Sequence, residues 1–348
     1  MMTAPRNCFP AERSASGCRK RFGMEEEMEF YFAPLEGITG YVYRNAFHEA
    51  FDCGISKYFT PFIAMNRNGL TKSRELEDLN AEHNRGMKVV PQLLGNNGKE
   101  AVFYLHRLKE MGYREVNLNL GCPYQTVVSK GKGAGLLQDT DKLNRFLKEV
   151  FEEADIAVSV KTRIGMERPE EFEEILEIYN LYPLSELIIH PRVREDFYGN
   201  HPDMEVFGMA VAKSRAPLCY NGDLFTVEDY HTFTAAFPDI QRVMLGRGLI
   251  ANPGLLSEIL TGKAVDKEML LAFHDKIFED YQRIMSGDTN TLFKMKELWN
   301  YMQFLFDDSQ KHIKRIRKAR NGAEYRSAVS TLFAECPLRV YGRNRNEN

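Results

Sequence analysis

Along the first two thirds of the chain, apolar residues gather in short runs closed by a polar residue, and between those runs they recur at helical spacing. The runs read EFYFAP (29–34), SKYFTP (56–61), KVVPQL (88–93), EVNLNL (115–120), IAVSVK (156–161), ELIIHP (186–191), PLCYNG (217–222) and RVMLGR (242–247). Their β-branched and aromatic content predicts strands, whereas KEAVFYLHRLKEMG and TDKLNRFLKEVFEE predict amphipathic helices. Strands alternating with helices imply a parallel sheet with helical crossovers, hence an α/β fold. Eight such units match the size of a (β/α)8 TIM barrel. A doubly wound open sheet is the alternative, but no G-x-G-x-x-G follows the first run.

The pattern changes after residue 255. KEMLLAFHDKIFEDYQRIM, TLFKMKELWNYMQFLF and AEYRSAVSTLFAE have helical spacing, with breaks expected at SGDTN (286–290) and ARNGA (319–323). The expected organisation is a disordered leader over 1–28, a barrel over 29–256 and a small C-terminal helical bundle domain over 257–348. In a barrel the C-terminal ends of the strands converge on one mouth. Here those ends carry Pro34, Thr60, Gln92, Asn119, Lys161, His190, Asn221 and Arg247. Eight such ends on one rim define a candidate site.

Composition narrows the class. Hydrophobic content of 43% and charged content of 27% in 348 residues are those of an ordinary globular protein. No run approaches the roughly 18 apolar residues of a membrane span. The N-terminal residues lack the apolar segment of a secretory signal, so a cytoplasmic location is expected. Six scattered cysteines with no C-x-x-C pair suggest neither a zinc site nor a disulfide framework, and no metal is expected. The net charge of −3 is unevenly spread: residues 309–348 hold ten basic and three acidic residues, a net +7, leaving −10 for the remainder. A basic end on an acidic body fits a polyanionic partner, and equally a solvated helix face.

The chemistry concentrates at the strand ends. NGD and LGRG close the seventh and eighth runs, where such barrels often bind phosphate through backbone N–H groups. Asn221, Gly222, Gly246 and Arg247 are therefore a candidate phosphate cradle. Lys161, at the end of an apolar strand, needs an anion or a neighbouring carboxylate. With the amides of Gln92 and Asn119 it suits a flat, anionic, heteroatom-rich ligand, and a flavin with one phosphate matches. A lone cysteine is usually a small buried hydrophobe, which describes Cys53 and Cys219. Cys122 differs, because Gly121 and Pro123 put it in a turn just beyond a strand end, on the ligand side. The loop SKGKGAGLL (129–137) follows, with Lys130 and Lys132 as charges that could meet phosphates.

APLEGIT, PQLLG, NLNLGCP, KGKGAGLL, VKTRIG, HPRVRE, YNGDLFT and MLGRGLIANP together resemble, in order and spacing, the tRNA-dihydrouridine synthases. The resemblance runs from about residue 29 to 256, and the helical tail matches that family's second domain in kind. It implies an FMN-dependent barrel enzyme that reduces particular uridines of tRNA, with NADPH or NADH as reductant. It further implies that Pro34, Leu35 and Glu36 form the first flavin-contacting turn and that Gln92, Lys161 and His190 contact the flavin ring. Asn221, Gly222, Asp223, Gly246 and Arg247 fall on phosphate-side contacts, and Cys122 falls on the proton donor. Leu35 and Glu36 replace the commoner Met and Ala, Pro191 stands where a small residue is usual, and DFYGN (196–200) is compressed.

The chemistry fits. Hydride added at C6 of uracil builds enolate charge over C5 and O4, so an acid must protonate C5. A thiol with a pKa of about 8.5 keeps its proton at neutral pH. Asn119 could bond the flavin or uracil edge, and Arg163 or Arg192 could hold the ring or the RNA. The target base must be turned out of the folded tRNA, with Lys130, Lys132 and the tail residues Lys314, Arg315, Arg317 and Lys318 gripping phosphates. A monomer is expected. The competing readings are a flavin oxidoreductase acting on a free pyrimidine, a non-catalytic tRNA-binding barrel, and an aldolase-type barrel using Lys161 as a Schiff base.

Overall fold

The computed structural model describes residues 28–51, 54–70 and 72–339. The expected leader, apart from Met28, lies outside them, as do Cys53 and residues 340–348. The first two runs form β1 (Glu29–Phe32) and β2 (Ile55–Phe59), and a two-residue β3 (Ile63–Ala64) follows. The third run yields β4 (Val89–Val90) and β5 (Gln92–Leu94), divided at Pro91, which has no N–H for the ladder. The remaining runs give β6 (Glu115–Leu120), β7 (Ala157–Arg163), β8 (Glu186–His190), β9 (Leu218–Tyr220) and β10 (Arg242–Leu245).

Every pairing is parallel, in the order β3-β5-β6-β7-β8-β9-β10-β1-β2-β4. Val89 and Val90 pair with Tyr58 and Phe59, while Gln92 and Leu93 pair with Asn117 and Leu118. The two halves of the third run thus join the ends of the sheet and close the barrel. Around it lie α1 (Tyr41–Phe51), α2 (Ser73–Leu79), α3 (Gly98–Glu110), α4 (Gln125–Val128), α5 (Thr140–Glu153), α6 (Glu171–Tyr179), α7 (Met204–Lys213) and α8 (Val227–Ala236), then the short α9 (Arg247–Ala251) and α10 (Leu255–Thr261). Their starts follow capping rules. In α3 the Asn97 side chain accepts from the Glu100 N–H, and Ala101, Tyr104, Leu105 and Leu108 turn one face to the sheet.

The barrel interior is layered by strand parity. At the N-terminal end Lys57 Nζ meets Glu115 Oε2 at 2.8 Å and Glu186 Oε2 at 3.3 Å, and the Tyr31 hydroxyl donates to Glu186 at 2.7 Å. Above this lies an apolar plug of Tyr31, Ala33, Phe59, Val90, Ile188, Cys219 and Met244. The mouth lies beyond it.

The C-terminal helices are α11 (Lys267–Ile284), α12 (Gly287–Met302), α13 (Gln310–Lys318) and α14 (Gly322–Glu335). The break expected over 286–290 is shorter than its composition suggests. Gly287, at φ +74°, makes the reversal, and Asp288, Thr289 and Asn290 already lie in the first turn of α12, where an acid suits the helix dipole. A buried relay locks the bundle: the Trp299 indole donates to the Tyr325 hydroxyl at 2.7 Å, and that hydroxyl shares a second hydrogen bond, also of 2.7 Å, with His274 Nε2. Phe273 of α11 packs edge-on to Tyr43 and Phe51 of α1, fixing the bundle to the barrel wall. Among the described residues no helix is long and apolar enough to cross a membrane.

Candidate active site

Two cavities open at the barrel mouth. One, of about 490 Å³, lies against the glycine turns after β9 and β10; the other, of about 780 Å³, holds Cys122. They share Pro34, Leu35, Lys161, His190, Tyr198 and Arg247, so they form one elongated site with two ends.

The cysteine end rests on a chain of hydrogen bonds running through the barrel. The Cys122 N–H donates to Asn119 Oδ1 (2.9 Å), and Asn119 Nδ2 donates to Gln92 Oε1 (2.7 Å). Gln92 Nε2 donates to Asn117 Oδ1 (2.9 Å), and Asn117 Nδ2 to Ser159 Oγ (3.0 Å). Ser159 Oγ donates to Glu115 Oε1 (2.9 Å), the carboxylate paired with Lys57. A carboxylate only accepts, so the direction of the whole chain is fixed, and with it the orientation of three amides. One N–H each of Gln92 and Asn119 is left without a protein acceptor among the described residues, on the cavity wall. The loop after Cys122 folds back closely: Gly133, at φ +57°, would place a Cβ 2.8 Å from the Cys122 carbonyl oxygen. Burial pushes the Cys122 thiol above its ordinary range despite the nearby Arg163.

The glycine end is electropositive. Burial, and then the charges of Arg163, Lys161, Arg192 and Arg247, hold the His190 imidazole well below the ordinary histidine range, hence neutral. Asp223 is the acid that pairs there with Arg192 and Arg247. No hydrogen bond or ion pair from a described residue engages the Lys161 ammonium, which burial, then Arg163, pushes down to about 8. At Gly222 a Cβ would sit 1.9 Å from the Tyr220 hydroxyl, so this turn requires glycine for close approach.

The structure gathers Pro34, Leu35, Gln92, Asn119, Cys122, Lys161, His190, Asn221, Gly222, Gly246 and Arg247 at the mouth. Glu36, Asp223 and Arg163 also line the site, and together with Arg192 and Lys132 they are engaged by protein partners. Glu36 lines the cysteine end, but its carboxylate is paired with Arg74 at 2.5 Å. Asp223 has both oxygens occupied by arginines, so it orients cations and offers nothing to a phosphate. Arg163 lines the cysteine end, but its guanidinium is spent on the carbonyls of Gly121 (3.1 Å), Val193 (2.7 Å) and Phe197. Arg192 is wholly buried and likewise unavailable to RNA. Lys132 donates to the Met65 carbonyl at 3.2 Å, pinning its own loop, whereas Lys130 is exposed. Thr60 is a strand pin whose Oγ1 accepts from the Gln92 N–H.

Three tyrosines at the mouth escaped the sequence reading: Tyr124, Tyr198 and Tyr301. Tyr198 lies between the two ends, with Arg247 4.3 Å from its ring centroid. Its loop, already conspicuous as DFYGN, has Phe197 and Asn200 at φ 49° and 52°. Tyr301 comes from α12, whose Lys294 also donates to the Gly37 carbonyl at 2.7 Å, so the helical bundle completes the rim. Lys314, Arg315, Arg317 and Lys318 stand on the exposed face of α13, opposite its buried Ile313 and Ile316. Arg317 reaches Asn300 Oδ1 at 3.3 Å, beside Tyr301.

Residues 31–335 match the sequence model of one family, described as dihydrouridine synthase (Dus). The chain belongs to the dihydrouridine synthase family. Among relatives, the tRNA-dihydrouridine(16) synthase of Shigella flexneri is 26% identical over 320 residues, spanning 88% of this chain and 99% of its own length. A probable tRNA-dihydrouridine synthase of Staphylococcus aureus is 28% identical over 273 residues, 73% of this chain and 78% of that one. Solved structures show the fold alone at 12% identity. Histamine dehydrogenase from Rhizobium sp. 4-9 has a TM-score of 0.53 over 80% of this chain and 51% of its own. A variant of morphinone reductase with tetrahydroNAD has a TM-score of 0.50 over 70% and 90%.

Proposed function

We propose that the elongated mouth seats FMN, with its ring at the cysteine end and its phosphate at the glycine turns, and that Cys122 protonates the uracil of tRNA. The reaction itself follows from the family: the chain reduces uridine in tRNA to dihydrouridine. The observation that carries the cofactor reading is Lys161, a cation with no protein partner among the described residues, facing a site already crowded with arginine. Such a charge needs an anionic ligand. Gly222 and Gly246 line the cavity beside Arg247, where a phosphate would lie, and the spare N–H groups of Gln92 and Asn119 suit the carbonyl-rich edge of a flavin or uracil.

When bound, the flavin would supply the hydride that adds at C6, drawn in turn from NAD(P)H. The chain's own residues do the rest. Cys122, protonated at neutral pH, delivers a proton to C5 as negative charge builds there. Asn119 fixes the backbone beneath it through the Gly121 and Cys122 N–H groups. Tyr124, Tyr198 and Tyr301 line the cysteine end and offer aromatic contact to a base turned out of the tRNA. The exposed cations of α13, joined to α12 through Arg317, grip phosphates outside the rim. This gives the +7 segment a task that a free-pyrimidine reductase would leave idle.

The test is reconstitution: purified protein, FMN, NADPH and unmodified tRNA transcripts, with dihydrouridine read by mass spectrometry and its position mapped. Dihydrouridine in tRNA, with free uridine untouched, supports the reading. Turnover of free uracil without RNA would replace it with the free-pyrimidine alternative. Protein that takes up no flavin would overturn the cofactor assignment.

A further inference from the structure

Arg192 is the most fully engaged side chain at the mouth, and nothing so far gives it a role toward the ligand. Its five N–H groups meet five acceptors. Nε donates to the Gly199 carbonyl (2.9 Å) and Nη2 to the Asn200 carbonyl (2.7 Å). Nη1 donates to His190 Nε2 and to Asp223 Oδ1, both at 3.0 Å, and Nη2 also bonds Asp223 Oδ2. Its side chain has no solvent exposure.

Two consequences follow from donor arithmetic. Arginine only donates, so His190 Nε2 must accept, and the single proton of this neutral ring sits on Nδ1. No protein group among the described residues takes that proton, and His190 lines both ends of the site. Asp223, gripped by Arg192, holds Arg247 Nη2 at 2.5 Å and so sets the direction of a guanidinium whose other N–H groups have no protein acceptor among the described residues. One buried residue therefore determines what two ligand-facing residues present. Lysine could not do this, having three donors on one point and no planar fork.

We propose that Arg192 is the positioning residue of the glycine end: it holds His190 in the Nδ1-protonated tautomer and, through Asp223, aims Arg247 at the flavin phosphate. This rests on the flavin reading above. Arg192 touches no ligand itself. Its signature is a larger loss of FMN than of riboflavin, because Arg247 bears on the phosphate whereas His190 lines both ends of the site.

The test compares FMN with riboflavin by fluorescence titration of wild type, Arg192→Met, Arg192→Lys and Asp223→Asn. The proposal expects FMN affinity to fall about tenfold or more in Arg192→Met, equivalent to roughly one charge-assisted hydrogen bond, with riboflavin affinity falling clearly less because only the part routed through His190 is lost. Arg192→Lys should fail to rescue, and Asp223→Asn should lose the same selectivity while leaving Arg192 in place. Equal weakening of FMN and riboflavin would mean a purely structural residue and would overturn the proposal. A second readout is the tautomer of His190 by ¹⁵N NMR of histidine-labelled protein, assigned with His190→Gln. Wild type should show protonation at Nδ1 and Arg192→Met a shift toward Nε2; an unchanged tautomer counts against the proposal. If wild type binds neither flavin, the cofactor reading fails, while the NMR arm still judges Arg192.

Discussion

The barrel holds a lysine at each end, Lys57 buried and Lys161 half-buried, and the two are opposites. Lys57, at the closed end, lies between Glu115 and Glu186, and although burial alone would lower its pKa, those carboxylates raise it. Lys161, at the mouth, has no acid beside it and is pushed down to about 8. The chain supplies counter-charges where the barrel must hold itself together and withholds them where a ligand is to supply them. A charge compensated by the protein marks structure; one left uncompensated at a cavity wall marks a seat.

Substitutions can break this contrast from either side. The largest split sets Lys57→Met against Cys122→Ala. Removing Lys57 takes the cation from buried Glu115 and leaves Glu186 to Arg242 alone, and should cost about 3–5 kcal/mol of stability, read by urea unfolding. Cys122→Ala should leave the unfolding midpoint nearly unchanged and lower the turnover of tRNA uridine about 10²- to 10⁴-fold, with flavin reduction by NADPH intact. If Cys122→Ala keeps its turnover, the general-acid role is gone. Next comes Ser159→Ala, which cuts the polar chain between the two ends. It leaves Asn117 without an acceptor and should cost about 1–3 kcal/mol, with a lower kcat because the amides beneath Cys122 lose their fixed direction.

The pH dependence is smaller and separates the lysines cleanly. The folded-state pKa of Lys161 lies below its ordinary value of 10.5, so its charge costs stability below pH 8, and that cost is relieved as pH rises from 8 toward 10.5. Flavin binding needs the charge, so affinity should fall as pH rises above about 8, and Lys161→Met should flatten that fall. An undiminished fall in the variant would assign the titration elsewhere. The smallest effect is expected on α13. Lys314→Ala with Lys318→Ala should weaken tRNA binding and reduce the magnitude of its salt slope by about 0.7–0.9 for each phosphate no longer neutralised. Flavin affinity should not move.

Much of this was legible in the chain. Eight apolar runs with polar ends give the barrel and its rim, because strands buried on both faces read as continuous apolar runs and only their ends can be polar. Cys122, Lys161 and the glycine turns were visible for the same reason. What could not be read is what register creates. Gln92, Asn117 and Ser159 come from three strands and meet only because β5, β6 and β7 pair in one alignment. Arg163 and Arg192 read as loose cations near a polyanion; their partners are backbone carbonyls of a loop whose path no local pattern reveals. Tyr301 lies 179 positions from Cys122 along the chain, on a helix of the other segment.

The most direct measurement is an FMN titration of Lys161→Met beside its urea unfolding curve. The account predicts affinity reduced at least about tenfold, as expected when one charge-assisted hydrogen bond is removed, with stability equal to wild type or higher because a desolvated charge has gone. Unchanged FMN affinity together with reduced stability would show that Lys161 belongs to the scaffold, and the contrast between the two ends of the barrel would fall.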